Sequence, residues 1–147
     1  MINLSAYLKK VEFLKVLLSI KPEFVEQIAR GKKMFEYRKQ IFKKKVESVI
    51  IYCTKPVGKI IGEFTFDQIL VDTPQALWKR TCDKSGISEE HFMKYFSDRQ
   101  MGYAIHIKEF WEYENPVEPE HVFEHFAAPQ SFRYVGEKEW EELRSVI

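Results

Sequence analysis

Apolar and polar positions divide the chain into short segments whose period switches between two and about 3.6 residues. Residues 13–20 are apolar and β-compatible, which predicts a first strand. Pro22 suits the opening turn of a helix, and Glu23 is favourable near its positive end. Phe24, Val25 and Ile28 give that helix an apolar stripe, and Gly31 stops it. Strand alternation follows, with Met34, Glu36 and Arg38 on one face and Phe35, Tyr37 and Lys39 on the other. Within residues 46–54 the run Val49, Ile50, Ile51, Tyr52 reads as a buried strand. A turn at Pro56 and Gly58 leads to a strand over 59–71, where Gly62 marks a bulge or a close backbone approach. Helices are predicted from Pro74 and from Ser88, the second with Phe92, Tyr95 and Phe96 as its apolar face. A last long strand over 102–113 is expected to end at Asn115 and Pro116. A short acidic helical turn and a charged helix over 137–147 complete the chain, with Trp140, Leu143 and Val146 as the helix's buried stripe. Residues 1–12 show no clear period and read as a short helical or frayed lead-in.

The connections after strands are too short for repeated parallel crossovers. The expected fold class is therefore α+β: a small mixed or antiparallel barrel flanked by helices, in a single domain over residues 1–147. An apolar content of 45% excludes a disordered chain. Cys53 and Cys82 are too few and too far apart for a disulfide framework or a thiolate metal site. No long apolar span or signal-peptide core stands out, so the expected setting is the cytoplasm, without a membrane partner.

Net charge is only +1, but its distribution is uneven. Residues 30–45 carry eight basic side chains against Glu36 alone, and residues 112–124 carry five glutamates with no Lys or Arg. A near-neutral chain can thus present one positive face, although opposite patches can also neutralise one another in the fold. On composition alone Gly31-Lys32-Lys33 reads as a helix C-cap followed by solvated lysines.

Gly31, Lys33, Glu36 and Arg38, spaced as Gly-x-Lys-x-x-Glu-x-Arg, resemble the signature of the ASCH domain. Leu17 to Pro22, Ile51 to Thr54 and Ala128 to Phe132 agree with it in order, so the resemblance covers residues 13–135. The family is a branch of the PUA-like fold, whose relatives bind RNA or modified bases. The resemblance places Lys33, Glu36 and Arg38 in a cleft between the first helix and the barrel, with Lys21 at its wall.

A nucleotide cleft needs cations for phosphate, aromatic surface for stacking and polar groups for base edges. Lys21, Lys33, Arg38 and Lys39 supply the first. Tyr37, Tyr52, Phe132 and Tyr134 are candidates for the second, although aromatics in a small barrel are more often core. Glu36, Thr54, Gln130 and Ser131 supply the third. The leading reading is a binder of RNA or of a modified nucleotide that needs no cofactor. An alternative is a hydrolase using the same cleft, either a ribonuclease or an amidohydrolase on acetylated cytidine, with Lys33, Glu36 and the distant acid Glu63 as its catalytic set. The resemblance implies, for the amidohydrolases among ASCH-like proteins, a motif lysine, a threonine three residues later and a distant glutamate. Glu36 stands where that threonine would be, and a carboxylate cannot replace that hydroxyl. A third reading is a regulatory domain whose acidic end meets a basic protein. His121 and His125, four apart, would share a helix face as zinc ligands do, but no third ligand is specified and no metal is expected.

Overall fold

The computed structural model describes residues 14–147, so the lead-in expected over 1–12 lies outside the described residues. Among the described residues there are six strands and four α-helices. β1 (Lys15–Ile20), α1 (Pro22–Ala29), β2 (Phe35–Arg38), β3 (Val49–Cys53) and β4 (Lys59–Asp72) come first. α2 (Pro74–Thr81), α3 (Glu89–Tyr95), β5 (Gly102–Val117), β6 (Arg133–Val135) and α4 (Glu137–Arg144) follow. The sheet runs β2-β5-β4-β3-β1-β6. β1 and β3 are parallel, and every other pairing is antiparallel.

Mixed α+β architecture is as expected, but the sheet does not close into a barrel. β2 and β6 are its two edges. Between them a side chain takes the place of a hydrogen-bonded ladder: Arg38, at the end of β2, donates to the main-chain carbonyls of Ser19 in β1 and Ser131 just before β6. A gap held by one guanidinium leaves room for a cavity where a closed barrel would have backbone.

Local chemistry accounts for the elements that frame this gap. α1 starts on Pro22 after the extended Lys21, and Gly31 (φ 74°) stops it in the left-handed region that glycine occupies without strain. Its stripe is as predicted, with Ile28 buried and Phe24 and Val25 packed on the main core. β2 alternates as expected. Phe35 and Tyr37 pack with Leu77, Phe92 and Phe96 of the helical layer, while Glu36 is paired across the sheet with Ile105 of the main core.

β5 continues through Asn115 and Pro116 rather than ending there. Register shifts between Ile60 and Gly62, so Pro116 lies in an irregular stretch that asks no N–H of it. Gly62 is the close approach anticipated, since a Cβ there would lie 2.6 Å from the Trp111 carbonyl oxygen. β6 has three residues, too few to show a period. On α4, Leu143 is buried and Trp140 half-buried, but Val146 lies beyond the helix and is exposed.

Candidate functional site: a cationic cavity in the sheet gap

A cavity of about 350 Å³ opens between α1, β2, the end of β1 and the segments around Ile87 and Gln130. Of the residues expected to gather there, Lys21, Lys33, Glu36, Arg38, Thr54 and Gln130 line it. Ile20, Phe24, Tyr37, Ile87 and Tyr95 form its apolar and aromatic walls. Lys39 and Ser131 border the adjoining recess rather than the cavity itself.

Lys33 is not a solvated lysine. It is 2% exposed, and its Nζ donates to the Ser85 carbonyl oxygen at 3.1 Å. It also stands 4.6 Å from the centre of the Tyr37 ring, within cation–π range. The segment behind it leaves no slack, because a Cβ on Gly86 (φ +67°) would come within 2.4 Å of the Lys33 Cβ. Burial holds the Lys33 ammonium below its ordinary pKa, and the nearby Glu36 charge offsets part of that shift. Tyr37 spends its hydroxyl on Thr81 Oγ1 at 2.7 Å, and burial raises it to about 12.

Glu36 Oε2 lies 3.3 Å from Arg38 Nη1, and Oε1 lies 4.0 Å from Lys33 Nζ. The second distance is a charge contact but too long for a hydrogen bond. Among the described residues, therefore, no donor reaches Glu36 Oε1, and Lys33 uses one of its three N–H donors, on Ser85. One acceptor and one donor group left open at a cavity wall are what a polar guest would complete.

Several anticipated residues lie elsewhere. Tyr52 is 5% exposed and packs edge-on against Phe126 in a second core cluster. Phe132 stacks between Phe42 and Tyr134 on the main core, and the Tyr134 hydroxyl accepts from the Lys43 and Lys44 amides. Period-two alternation put Tyr52 on the far face of β3; a candidate list drawn from residue type alone missed this. Glu63 does not serve this cavity either. It is 1% exposed within a separate polar cluster, where it accepts from Lys15, Ser48 and Tyr113. His121 ends a three-residue 3-10 turn, and both it and His125 are exposed, so they share no helix face. Among the described residues no three His, Cys, Asp or Glu side chains are grouped to hold a metal. No described helix is long and apolar enough to cross a membrane.

Tyr95 and His91, both on α3, complete the cavity rim and were missed. The apolar pattern marked Tyr95 as helix core; it is half-buried, on the boundary between that core and the opening.

A six-stranded mixed sheet, open between its edge strands and with a cationic cavity in that gap, is a PUA-like architecture. The ASCH domain model matches residues 18–144, and the chain belongs to that family. It is 27% identical over 139 residues to the ASCH domain-containing ribonuclease of Zymomonas mobilis, covering 90% of this chain and 91% of that one. The crystal structure of ASCH from Zymomonas mobilis superposes with a TM-score of 0.83 at 26% identity, over 89% of this chain and 94% of that one. The N-terminal domain of Staphylothermus marinus McrB shares the fold, at a TM-score of 0.55, 15% identity and coverage of 90% and 93%.

Proposed function

We propose that this protein acts on single-stranded RNA, seating one nucleotide in the cavity beside Lys33, Glu36 and Arg38. The observation that carries this reading is the incomplete hydrogen bonding of Lys33 and Glu36 at the wall of a cavity of about 350 Å³. That volume lies at the lower end of the roughly 300–1,000 Å³ typical of small-molecule sites. Glu36 Oε1 would accept from a base N–H, Lys33 would donate to a base carbonyl or phosphate oxygen, and Tyr95 or Phe24 would offer a ring for stacking. Unstacked single strands expose these base edges, whereas a duplex does not. An RNA role also favours a cytoplasmic setting, in keeping with two free cysteines.

Fluorescence anisotropy with a labelled random-sequence RNA tests the proposal. Binding at 50 mM salt should weaken at 200 mM in proportion to the phosphates contacted. Absence of binding at low salt would overturn it.

The kinship with a ribonuclease favours a second reading in which the bound strand is also cut. Glu36 Oε1 would take the proton of the 2′-hydroxyl as that oxygen attacks the adjacent phosphorus. Lys33 would neutralise the phosphorane, and the 5′-oxygen would leave with a proton from Lys33 or His91. A gel of end-labelled RNA, run with and without EDTA, separates the readings. Fragments ending in a cyclic phosphate establish cleavage, and intact RNA leaves a binder.

A further inference from the structure

The cavity does not stand alone. Two recesses, of about 560 Å³ and about 360 Å³, adjoin it; all three spaces share the Tyr95 ring as a wall, and the two recesses also share Lys39. The first recess carries Lys21, Lys39 and Lys94, with Glu90 and His91 beside them. The second carries Arg38, Lys39 and Arg99, and no carboxylate lines it. Lys39 is held 3.1 Å from Asp98, whose side chain is 63% exposed, so water competes for that pair. Arg38 already gives its donors to Glu36, Ser19 and Ser131. Arg99 is exposed; among the described residues no carboxylate lies within ion-pair distance of it, although the neighbouring Asp98 feels its charge.

The chemistry changes across Tyr95. The central cavity has mostly apolar and aromatic walls around one unfilled acceptor and one unfilled donor group, whereas both recesses are lined by more polar, cationic side chains. A nucleobase fits the first description and a phosphodiester the second. We infer that the recesses flanking Tyr95 are phosphate subsites, so that the ligand is an RNA segment with a phosphate on each side of the seated nucleotide, rather than a free nucleoside or mononucleotide. The Arg99 recess, free of carboxylates, is the stronger of the two, because Glu90 opposes an anion in the other.

This inference rests on the RNA reading above, and the experiment separates the failure of each. Nucleosides, 3′-mononucleotides, dinucleotides and trinucleotides of each base compete against fluorescein-labelled random-sequence RNA, with strand integrity checked by gel. The expected result is a gain of about fivefold to tenfold per phosphate: from the nucleoside to the 3′-mononucleotide and the dinucleotide, which carry one each, and again to the trinucleotide, which carries two. Arg99→Ala should weaken the trinucleotide about tenfold more than the mononucleotide, and Lys94→Ala should do the same to a smaller extent. Lys79→Ala, an exposed change on α2 away from all three spaces, should move every value less than twofold. If RNA binds but mononucleotide and trinucleotide compete equally, or if Arg99→Ala and Lys79→Ala are indistinguishable, the subsites are refuted and the RNA reading survives. Absence of RNA binding refutes both.

Discussion

Two buried lysine–glutamate pairs among the described residues, Lys15–Glu63 and Lys33–Glu36, are opposites. Glu63 has both carboxylate oxygens engaged: Oε1 accepts from the Tyr113 hydroxyl at 2.8 Å, and Oε2 from Lys15 Nζ at 2.8 Å and Ser48 Oγ at 2.7 Å. Trp140 of α4 lies over the same lysine, its ring centre 3.6 Å from Nζ. Glu36 and Lys33 are about as deeply buried, yet 4.0 Å apart, and the rest of their capacity is turned to a cavity. A saturated cluster clamps strands and terminal helix together. An open one turns its remaining capacity to a cavity that opens to solvent, where a polar ligand can take the place of water. Satisfaction of hydrogen bonds, more than burial or residue type, separates the structural pair from the functional one.

The largest effect that would sharpen this contrast is on stability. Glu63→Ala strips the carboxylate from a lysine and two hydroxyls and should cost about 3–5 kcal/mol, read as a lower urea midpoint. Its folded fraction should still bind RNA within twofold of the parent protein. Loss of binding from fully folded Glu63→Ala would break the division between the two pairs.

Lys33→Met should do the reverse. Removing an ammonium that burial disfavours, while Glu36 keeps Arg38 and the Ser85 carbonyl loses a donor, should change stability by no more than about 1 kcal/mol in either direction. Losing a charge-assisted hydrogen bond to the guest should weaken RNA binding by about 1.5–3 kcal/mol, roughly tenfold to a hundredfold. A Lys33→Met protein that is destabilised by more than about 1 kcal/mol and fully able to bind would make the cavity pair structural after all.

Tyrosines give the next comparison. Tyr95→Ala removes the wall shared by the three spaces and should lower affinity by about 1–3 kcal/mol, as loss of a stacking platform does. Tyr52→Phe, in the second core cluster, should leave anisotropy titrations unchanged.

The smallest effect is on pH dependence. With its folded pKa held below the unfolded value near 10.5, Lys33 binds its proton less tightly in the folded chain. Stability contributed at this site therefore rises as pH climbs from the folded pKa towards the unfolded one. RNA affinity should fall over the same window, because the lost proton carries the attraction. Lys33→Arg should abolish that alkaline fall, and a parent profile identical to that of Lys33→Arg would contradict the assignment.

Much of this was readable in the amino-acid order. The strand alternation at residues 34–38, the helix opened by Pro22 and stopped by Gly31, and the close approach at Gly62 each follow from local sterics. Family membership followed from residue spacing, and with it the gathering of Lys33, Glu36 and Arg38. What the order could not carry was any relation between segments far apart in sequence. Nothing near Glu63 announces that Lys15, Ser48 and Tyr113 will surround it. Nothing near Arg38 announces that it will meet Ser131 across 93 positions and hold two sheet edges apart. β6 owes its pairing to β1 and to no pattern of its own, and Tyr95 borders the cavity only because α3 packs there. Short-range sterics act within a few residues and are written in the chain. Which buried charges find all their partners, and which are left facing a space, is decided only when distant segments close on one another.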